Sequence, residues 1–174
     1  MIVLWTVRDW CEATGDARVL SFLERYFAFQ RKAFADGDSF AKDSTWAVAR
    51  VGDELDVVLW LYRKTGRLEW LAFARKIAAM SADWTEFYHA GGDCASMKGH
   101  IVNFMQGLKT PPLKWLLGAD ERDRTAFRAA LDPGGWAMCR CGRPDRTVNG
   151  TEPLADCSST QGTELCATAN LVSR

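Results

Sequence analysis

The sequence has no excess charge of either sign and no long apolar run. Lys and Arg total 22, Asp and Glu total 22, and the formal net charge is zero. Proteins that bind nucleic acid or anionic membranes through charge usually carry a basic excess, so neither partner class is expected. The longest unbroken apolar run covers residues 57–62, whereas a membrane-spanning helix needs about 20 residues. Residues 1–5 are apolar but follow no basic segment, so they do not resemble a signal peptide.

The chain also has few histidines and few cysteines. It contains two histidines and six cysteines in 174 residues, fewer cysteines than a small disulfide scaffold would have. Four of the cysteines fall between positions 139 and 166, and such a local cluster indicates metal or redox chemistry more than general cross-linking. Apolar residues make up 48% and charged residues 25%. These are globular proportions, which exclude a disordered or fibrous chain.

The first two-thirds of the chain has the periodicity of amphipathic helices. Within residues 16–33, apolar side chains recur at intervals of three and four, which places them on one predicted helical face. They are Val19, Phe22, Tyr26, Phe29 and Ala33. A second segment that begins at Arg67 repeats the pattern with Trp70, Phe73, Ile77, Met80 and Trp84. The sequence therefore predicts two amphipathic helices.

Each of these helices follows an apolar segment that ends at a Thr-Gly pair, at Gly15 and at Gly66. Glycine readily adopts the left-handed conformation that closes a helix, so each pair predicts a hairpin corner. A third corner is predicted at residues 117–120, before a weaker helix over residues 121–131.

The glycines of these corners, Gly15, Gly66 and Gly118, are 51 and 52 residues apart. A fixed period of this length indicates a repeated helical hairpin. The alternative is coincidence among ordinary helix ends. The side chains favour the repeat, because the seventh residue after the glycine is phenylalanine in both of the first two units, Phe22 and Phe73.

The length of the chain limits how such an array can close. A ring of six hairpins at this period needs roughly 300 residues, whereas 174 residues supply about 3.4 units. We therefore predict a single incomplete all-α domain over residues 1–174, with helix hairpins over 1–131. Glycine and proline break any helical periodicity over residues 132–163, which predicts one long loop followed by a helix over 164–174. Loops of this length in a compact domain usually have a function. Uncovered apolar edges would favour self-association.

The end of this loop carries a candidate metal site. Glu164 and Cys166 are two residues apart, and both side chains can face one zinc ion, which accepts oxygen and sulfur ligands. The alternative is a glutamate favoured by a helix N-terminus beside a buried cysteine. A closed structural zinc site that uses Cys139, Cys141 and Cys157 with Cys166 is a further possibility, although its spacing fits no common paired pattern. Unligated thiols or a disulfide also remain open.

Other polar and aromatic residues have a functional and a structural interpretation. Glu152 lies in the loop and is either a catalytic carboxylate or a solvated acid. His100 precedes a helical run and either contacts a ligand or has a structural hydrogen bond. The eight tryptophans suit sugar rings, but their helical spacing favours packing positions.

Several segments together resemble part of the catalytic domain of glycoside hydrolase family 127, the β-L-arabinofuranosidase-like enzymes. Residues 100–111, HIVNFMQGLKTP, resemble the inner-helix motif of that family. Residues 150–155, GTEPLA, together with residues 161–166, QGTELC, resemble its active-site loop. Three further segments are WAVARVGD at 46–53, LWLYRKTG at 59–66 and SADWT at 81–85. The resemblance covers residues 40–172, and the motifs occur in the family's order.

This resemblance implies an (α/α)6 toroid and a retaining glycosidase that acts on arabinofuranoside-like glycans. A zinc-bound cysteine thiolate is the implied nucleophile and a glutamate the implied general acid/base. Matched by motif, Glu152 is the acid/base, Glu164 and Cys166 are zinc ligands, and His100 and Asp53 contact the substrate. The family segment that carries the nucleophile has no counterpart in these residues, which implies an inactive fragment. The alternative function is a non-catalytic helical-repeat binding module with a structural zinc or unligated cysteines.

Overall fold

A computed structural model of the chain describes residues 2–35, 45–90 and 101–131, and within these ranges the protein is all-α. Nine helices occupy most of the described residues, which contain no β-strand. They are α1 (Ile2–Thr14), α2 (Arg18–Ala35), α3 (Thr45–Ala49), α4 (Val51–Thr65), α5 (Leu68–Ala79), α6 (Trp84–His89), α7 (Ile101–Gly107), α8 (Thr110–Gly118) and α9 (Glu121–Leu131). The predicted all-α class is confirmed. No helix in the described part of the chain has the length and apolarity needed to cross a membrane.

The chain divides into two compact units, residues 1–81 and 82–174. Unit 1 contains two helix hairpins, hairpin 1 (α1 and α2) and hairpin 2 (α4 and α5). Both predicted corners are confirmed, because Gly15 has a φ of 71° and Gly66 a φ of 68°. In each corner the glycine N–H donates to the carbonyl four residues earlier, Cys11 or Tyr62, at 2.8 Å. The left-handed glycine thus ends the first helix and reverses the chain.

The two hairpins stack with equivalent helices side by side. Along α1 and α4, contacts join residues 48 apart in sequence, as in Trp5 with Asp53 and Arg8 with Asp56. Because this separation stays constant along both helices, α1 and α4 are parallel. The contacts between α2 and α5 also advance in the same direction, from Glu24 with Arg67 to Phe34 with Lys76. Hairpin 2 therefore lies against one side of hairpin 1.

An aromatic seam joins the second helices of the two hairpins. The ring centroid of Phe27 lies 6.5 Å from that of Trp70 and 6.3 Å from that of Phe73, and Phe34 lies 5.5 Å from Phe73. Most of α4 is also buried, on all sides of the helix over residues 51–61. Such a helix contributes apolar surface to every neighbour, so α4 is the centre of unit 1.

Two predicted helical patterns differ from the observed packing. The buried residues of α2 are Val19, Leu23, Phe27 and Phe34, whereas Phe22 and Phe29 are exposed. These two phenylalanines lie on the side of α2 away from α5, so the predicted face was wrong in part. The second predicted helix ends at Ala79, and Trp84 begins α6 after Asp83, whose carboxylate accepts a hydrogen bond from the Glu86 N–H at 3.0 Å.

In the described part of unit 2, α9 packs against α6 and α8. The Trp84 ring stacks on Tyr88 at 5.8 Å and meets Phe104 edge to face at 5.5 Å. The third predicted corner is present, but the left-handed residue is Ala119, with a φ of 56°, rather than Gly118. Helix α8 includes Gly118, and the Ala119 N–H donates to the Trp115 carbonyl at 2.7 Å. That bond sets the turn one residue later than the glycine indicated.

Candidate functional site

The predicted site residues fall mostly outside the described ranges. Glu152, Glu164, Cys166 and His100 all lie there, as do the alternative cysteine ligands. Asp53 is described and belongs to the first turn of α4. The roles assigned to all five residues therefore stay predictions. Of the five, only Asp53 has a local structure within the described ranges.

Asp53 is completely buried at the start of α4. Its backbone N–H donates to the Arg50 carbonyl at 3.1 Å, and its own carbonyl accepts a hydrogen bond from Trp5 Nε1 at 3.0 Å. The first turn of a helix favours negative charge, because its N–H groups give that end a partial positive charge. Both carboxylates of this turn, Asp53 and Glu54, occupy that position.

Glu54 is a buried acid that the sequence did not single out. Its side chain is 1% exposed, and its Oε1 atom has no hydrogen-bond partner among the described residues. Burial raises the pKa of Glu54, and the Gln30 amide offsets only part of that rise. An acid surrounded by apolar residues is easier to bury without its charge. Glu54 therefore keeps its proton to a higher pH in the folded protein than an exposed glutamate does.

The neighbours of Glu54 come from α2. Gln30 Nε2 donates to the Tyr26 hydroxyl at 3.0 Å, and burial together with the charge of Glu54 raises the pKa of Tyr26. The Gln30 Oε1 atom is buried and, like Glu54 Oε1, has no partner in the described chain. A protonated Glu54 can donate a hydrogen bond, which a carboxylate cannot. The arrangement can thus hold a proton between α2 and α4, but its burial closes it to a substrate.

The contribution of Glu54 to the free energy of unfolding should decrease as the pH rises. A raised folded-state pKa means that the stabilising contribution is complete below the unfolded-state value, near pH 4.5, and is lost as the pH rises through the folded-state pKa. The side chain in Glu54→Gln stays neutral at every pH. Between the unfolded-state and folded-state pKa values of Glu54, the free energy of unfolding of this variant should therefore rise relative to that of the wild type, by at most about 1.4 kcal/mol per pH unit. Urea denaturation of both proteins at several pH values measures this difference.

The matched control is Glu69→Gln on α5. Arg31 holds the pKa of Glu69 below its ordinary value, so the contribution of Glu69 is lost as the pH falls instead. The two variants should thus change the pH profile in opposite directions. A Glu54→Gln profile parallel to that of the wild type would show that Glu54 does not hold a proton in the folded protein.

A second buried polar group lies where α7 meets α8, in the segment that follows His100. Gln106, Lys109 and Thr110 are all buried, and Thr110 Oγ1 has no hydrogen-bond partner within the described ranges. Pro111 and Pro112 occupy the first turn of α8, where their missing N–H groups remove no helical hydrogen bond. The resemblance singles out this segment, but nothing in its residue pattern predicts that these polar side chains are buried.

Asp123 is a further buried carboxylate in unit 2, and it has partners. It accepts a hydrogen bond from the Thr85 hydroxyl and lies 3.7 Å from the ammonium of Lys114. This pairing joins α6 and α8 to α9. Since each charged group is compensated, Asp123 is a structural acid rather than a candidate catalyst.

A polar groove of about 370 Å³ lies beside the α2–α5 contact. Arg67 pairs with Glu24 at 2.8 Å and with Glu69, which also pairs with Arg31. The guanidinium groups of Arg31 and Arg67 both lie 5.6 Å from the Trp70 ring centroid. The charges in the groove largely compensate one another and cover the ring, so this groove stabilises the contact between hairpins and offers little to a ligand.

No group of three or more His, Cys, Asp or Glu side chains that could hold a metal ion occurs in residues 2–35, 45–90 and 101–131. Cys11 falls within these ranges, and its thiol donates to the Asp16 carbonyl at 3.6 Å. The zinc ligands implied by the resemblance, Glu164 and Cys166, are elsewhere in the chain. Among the described tryptophans, Trp60, Trp70 and Trp84 are buried in packing positions, whereas Trp10, Trp46 and Trp115 are exposed.

Comparison with known proteins gave no match to any family model, to any curated protein or to any solved structure.

Proposed function

We propose that this chain is part of a retaining glycoside hydrolase of the family 127 kind. The ordered motifs are the observation that carries the proposal. The described structure supports it through hairpins 1 and 2, because two stacked hairpins with parallel equivalent helices are the arrangement from which an (α/α)6 toroid is built. The substrate class is an arabinofuranoside-like glycan, cleaved at its non-reducing end.

Residues in and beside the predicted loop carry most of the proposed chemistry. Glu152 protonates the leaving oxygen and then activates water, while His100 positions the sugar. Zinc, held in part by Glu164 and Cys166, would supply a thiolate nucleophile that is deprotonated near neutral pH. The cysteine that acts as this nucleophile belongs to a family segment with no counterpart in these 174 residues.

Zinc binding tests the proposed assignment. We expect Cys166→Ser and Glu164→Gln each to weaken zinc binding by at least about tenfold, because each removes a ligand. Cys139→Ser and Cys157→Ser are the controls, and they should leave the affinity unchanged. Titration with a zinc-sensitive competitor dye, checked by elemental analysis of the purified proteins, measures the affinity of each variant.

The opposite pattern would favour the second candidate function, a non-catalytic helical-repeat binding module. In that case Cys139→Ser and Cys157→Ser would release the metal, as expected of a closed structural zinc site. One observation favours such a module, namely the exposed apolar groove on hairpin 1 that contains Trp10 and Phe22. Zinc binding that none of these four substitutions weakens would contradict both metal assignments.

A further inference from the structure

Hairpin 1 has an exposed apolar groove of about 440 Å³ between α1 and α2, here called the hairpin-1 groove. Its apolar lining consists of Val7 and Trp10 from α1 and of Val19 and Phe22 from α2. Aligned on Gly15 and Gly66, each of these residues has a counterpart 51 residues later in hairpin 2, namely Val58, Leu61, Trp70 and Phe73. None of the counterparts is more than 2% exposed, whereas Trp10 is 57% and Phe22 43% exposed. The repeat therefore buries in hairpin 2 the surface that it leaves open in hairpin 1.

Helix α2 is the element that covers these counterparts in hairpin 2. Its Phe27 ring centroid lies 6.5 Å from that of Trp70 and 6.3 Å from that of Phe73, both on α5. Gln30 of the same helix donates a hydrogen bond to Glu54 of α4. Helix α2 thus lies along a surface to which both helices of hairpin 2 contribute. The hairpin-1 groove is the equivalent surface, and no helix of unit 1 in the described ranges occupies it.

A cation beside the hairpin-1 groove supports the same comparison. In hairpin 2, Lys76 follows Phe73 by three residues, and its ammonium donates to the Phe34 carbonyl in the last turn of α2, at 3.1 Å. The last carbonyls of a helix have no partner within that helix and favour a positive charge. Arg25 follows Phe22 by the same interval, is exposed, and has no ion pair within the described chain. Arg25 can therefore bind the C-terminal end of a helix that lies in the groove.

The charges at one end of the groove determine which helix fits. In hairpin 2, Arg67 pairs with Glu24 of α2. Two residues later, Glu69 pairs with Arg31 of α2. The counterparts of Arg67 and Glu69 in hairpin 1 have the opposite charges and are Asp16 and Arg18. A fitting helix therefore needs a basic residue first and an acidic residue seven positions later. Helix α2 of a second copy would bring like charges together at both places, which disfavours it.

We propose that the hairpin-1 groove binds a further helix hairpin of the same repeat, packed head to tail, with its second helix in the groove as α2 lies on hairpin 2. Two aromatic side chains of that helix, seven residues apart, cover Phe22. A basic and an acidic residue pair with Asp16 and Arg18, and the last carbonyls accept hydrogen bonds from Arg25. Neighbouring units stabilise each other in a repeat array. This pairing follows from the repeat in unit 1 and does not depend on the glycosidase activity proposed above.

A chain with one added hairpin tests this docking. Residues 1–51 are placed a second time ahead of the full chain, and the added copy carries Glu24→Arg and Arg31→Glu to supply the required charges. It also carries Gln30→Leu, because the residue opposite is Val3 where hairpin 2 has Glu54. We expect far-UV circular dichroism to gain the helical signal of one hairpin. The urea midpoint should rise by about 0.5 M or more, since the new interface must also be broken on unfolding.

Two comparisons distinguish docking from the mere presence of an added hairpin. An added copy that keeps Glu24 and Arg31 should raise the midpoint by no more than about half as much, because it faces like charges. Phe22→Ala in the original hairpin 1 should lower the midpoint of the extended chain at least about twice as much as that of the original chain, since only the extended chain buries the ring. Leu68→Ala is the matched control. Leu68 is exposed on α5, so this variant should have the same effect in both chains.

Three results would overturn the docking of a further hairpin. The first is an added hairpin that contributes no helical signal. The second is an effect of Phe22→Ala that is equal in the extended and the original chain, or a midpoint that rises equally with either set of charges. The third concerns a second copy as the occupant: sedimentation velocity of the original chain would then show self-association that Phe22→Asp abolishes.

Discussion

Phe27→Ala should lower the free energy of unfolding by about 3–5 kcal/mol. The Phe27 side chain has no exposed surface, and its ring contacts Trp70 and Phe73 of hairpin 2 and Tyr26 of its own helix. Removal of the ring leaves a cavity in the seam between the hairpins. Because Trp70 and Phe73 are themselves almost completely buried and held by their own neighbours, the surrounding side chains can close the cavity only in part. Urea denaturation followed by far-UV circular dichroism measures the loss.

The control for Phe27→Ala is Phe29→Ala, the same substitution two residues along the same helix. Phe29 is 73% exposed, so its removal should change the stability of the monomer by no more than about 0.5 kcal/mol. Both variants are measured at the same low protein concentration, where self-association does not contribute. Equal losses for the two variants would mean that α2 packs with a different face from the one described.

Gly107→Ala should have the second large effect, a loss of about 2–3 kcal/mol through overpacking. A Cβ atom at this position would lie less than 3 Å from several carbons of the Trp84 ring, too close for any ordinary contact. The ring cannot retreat, because Tyr88 stacks on it and Phe87 and Phe104 meet its edges. Thermal and urea denaturation of the variant measure the cost.

Gly118→Ala is the matched control for this substitution. Gly118 ends α8, and no described atom lies within 4 Å of a Cβ placed there. Alanine favours a helix over glycine by up to about 1 kcal/mol, so this variant should be as stable as the wild type or slightly more stable. A Gly107→Ala protein with wild-type stability would contradict the close approach of α7 to the Trp84 ring.

Local chemistry made the hairpin corners predictable. Gly15 and Gly66 follow apolar helices and tolerate a positive φ, and both adopt it. The third corner could be placed only to within one residue, since Ala119 takes the left-handed conformation next to a glycine that stays helical. There the hydrogen bond to Trp115 decides the turn, and sequence alone does not show which carbonyl will be used.

The buried face of α2 could not be chosen from periodicity alone. Phe22 and Phe29 form one stripe and Phe27 and Phe34 another, and both have the seven-residue spacing of a helical face. Only the position of α5 makes the second stripe the buried one. Glu54 was missed for a similar reason, because its neighbours Tyr26 and Gln30 come from a helix in another hairpin. The resemblance identified Asp53 but contained no signal for the acid beside it.

The burial of α4 on every side limits how the length of this chain can vary. Inserting one residue in a helix rotates everything beyond it by about 100°. In α4 such an insertion would move every residue beyond it into the place of its neighbour, so that side chains of the wrong size and polarity would meet the surrounding helices, whereas an insertion at the Gly15 or Gly66 corner rotates no buried face. Length changes should therefore accumulate at the corners or arrive as whole hairpins, which makes the hairpin the unit by which such a chain can grow or shorten.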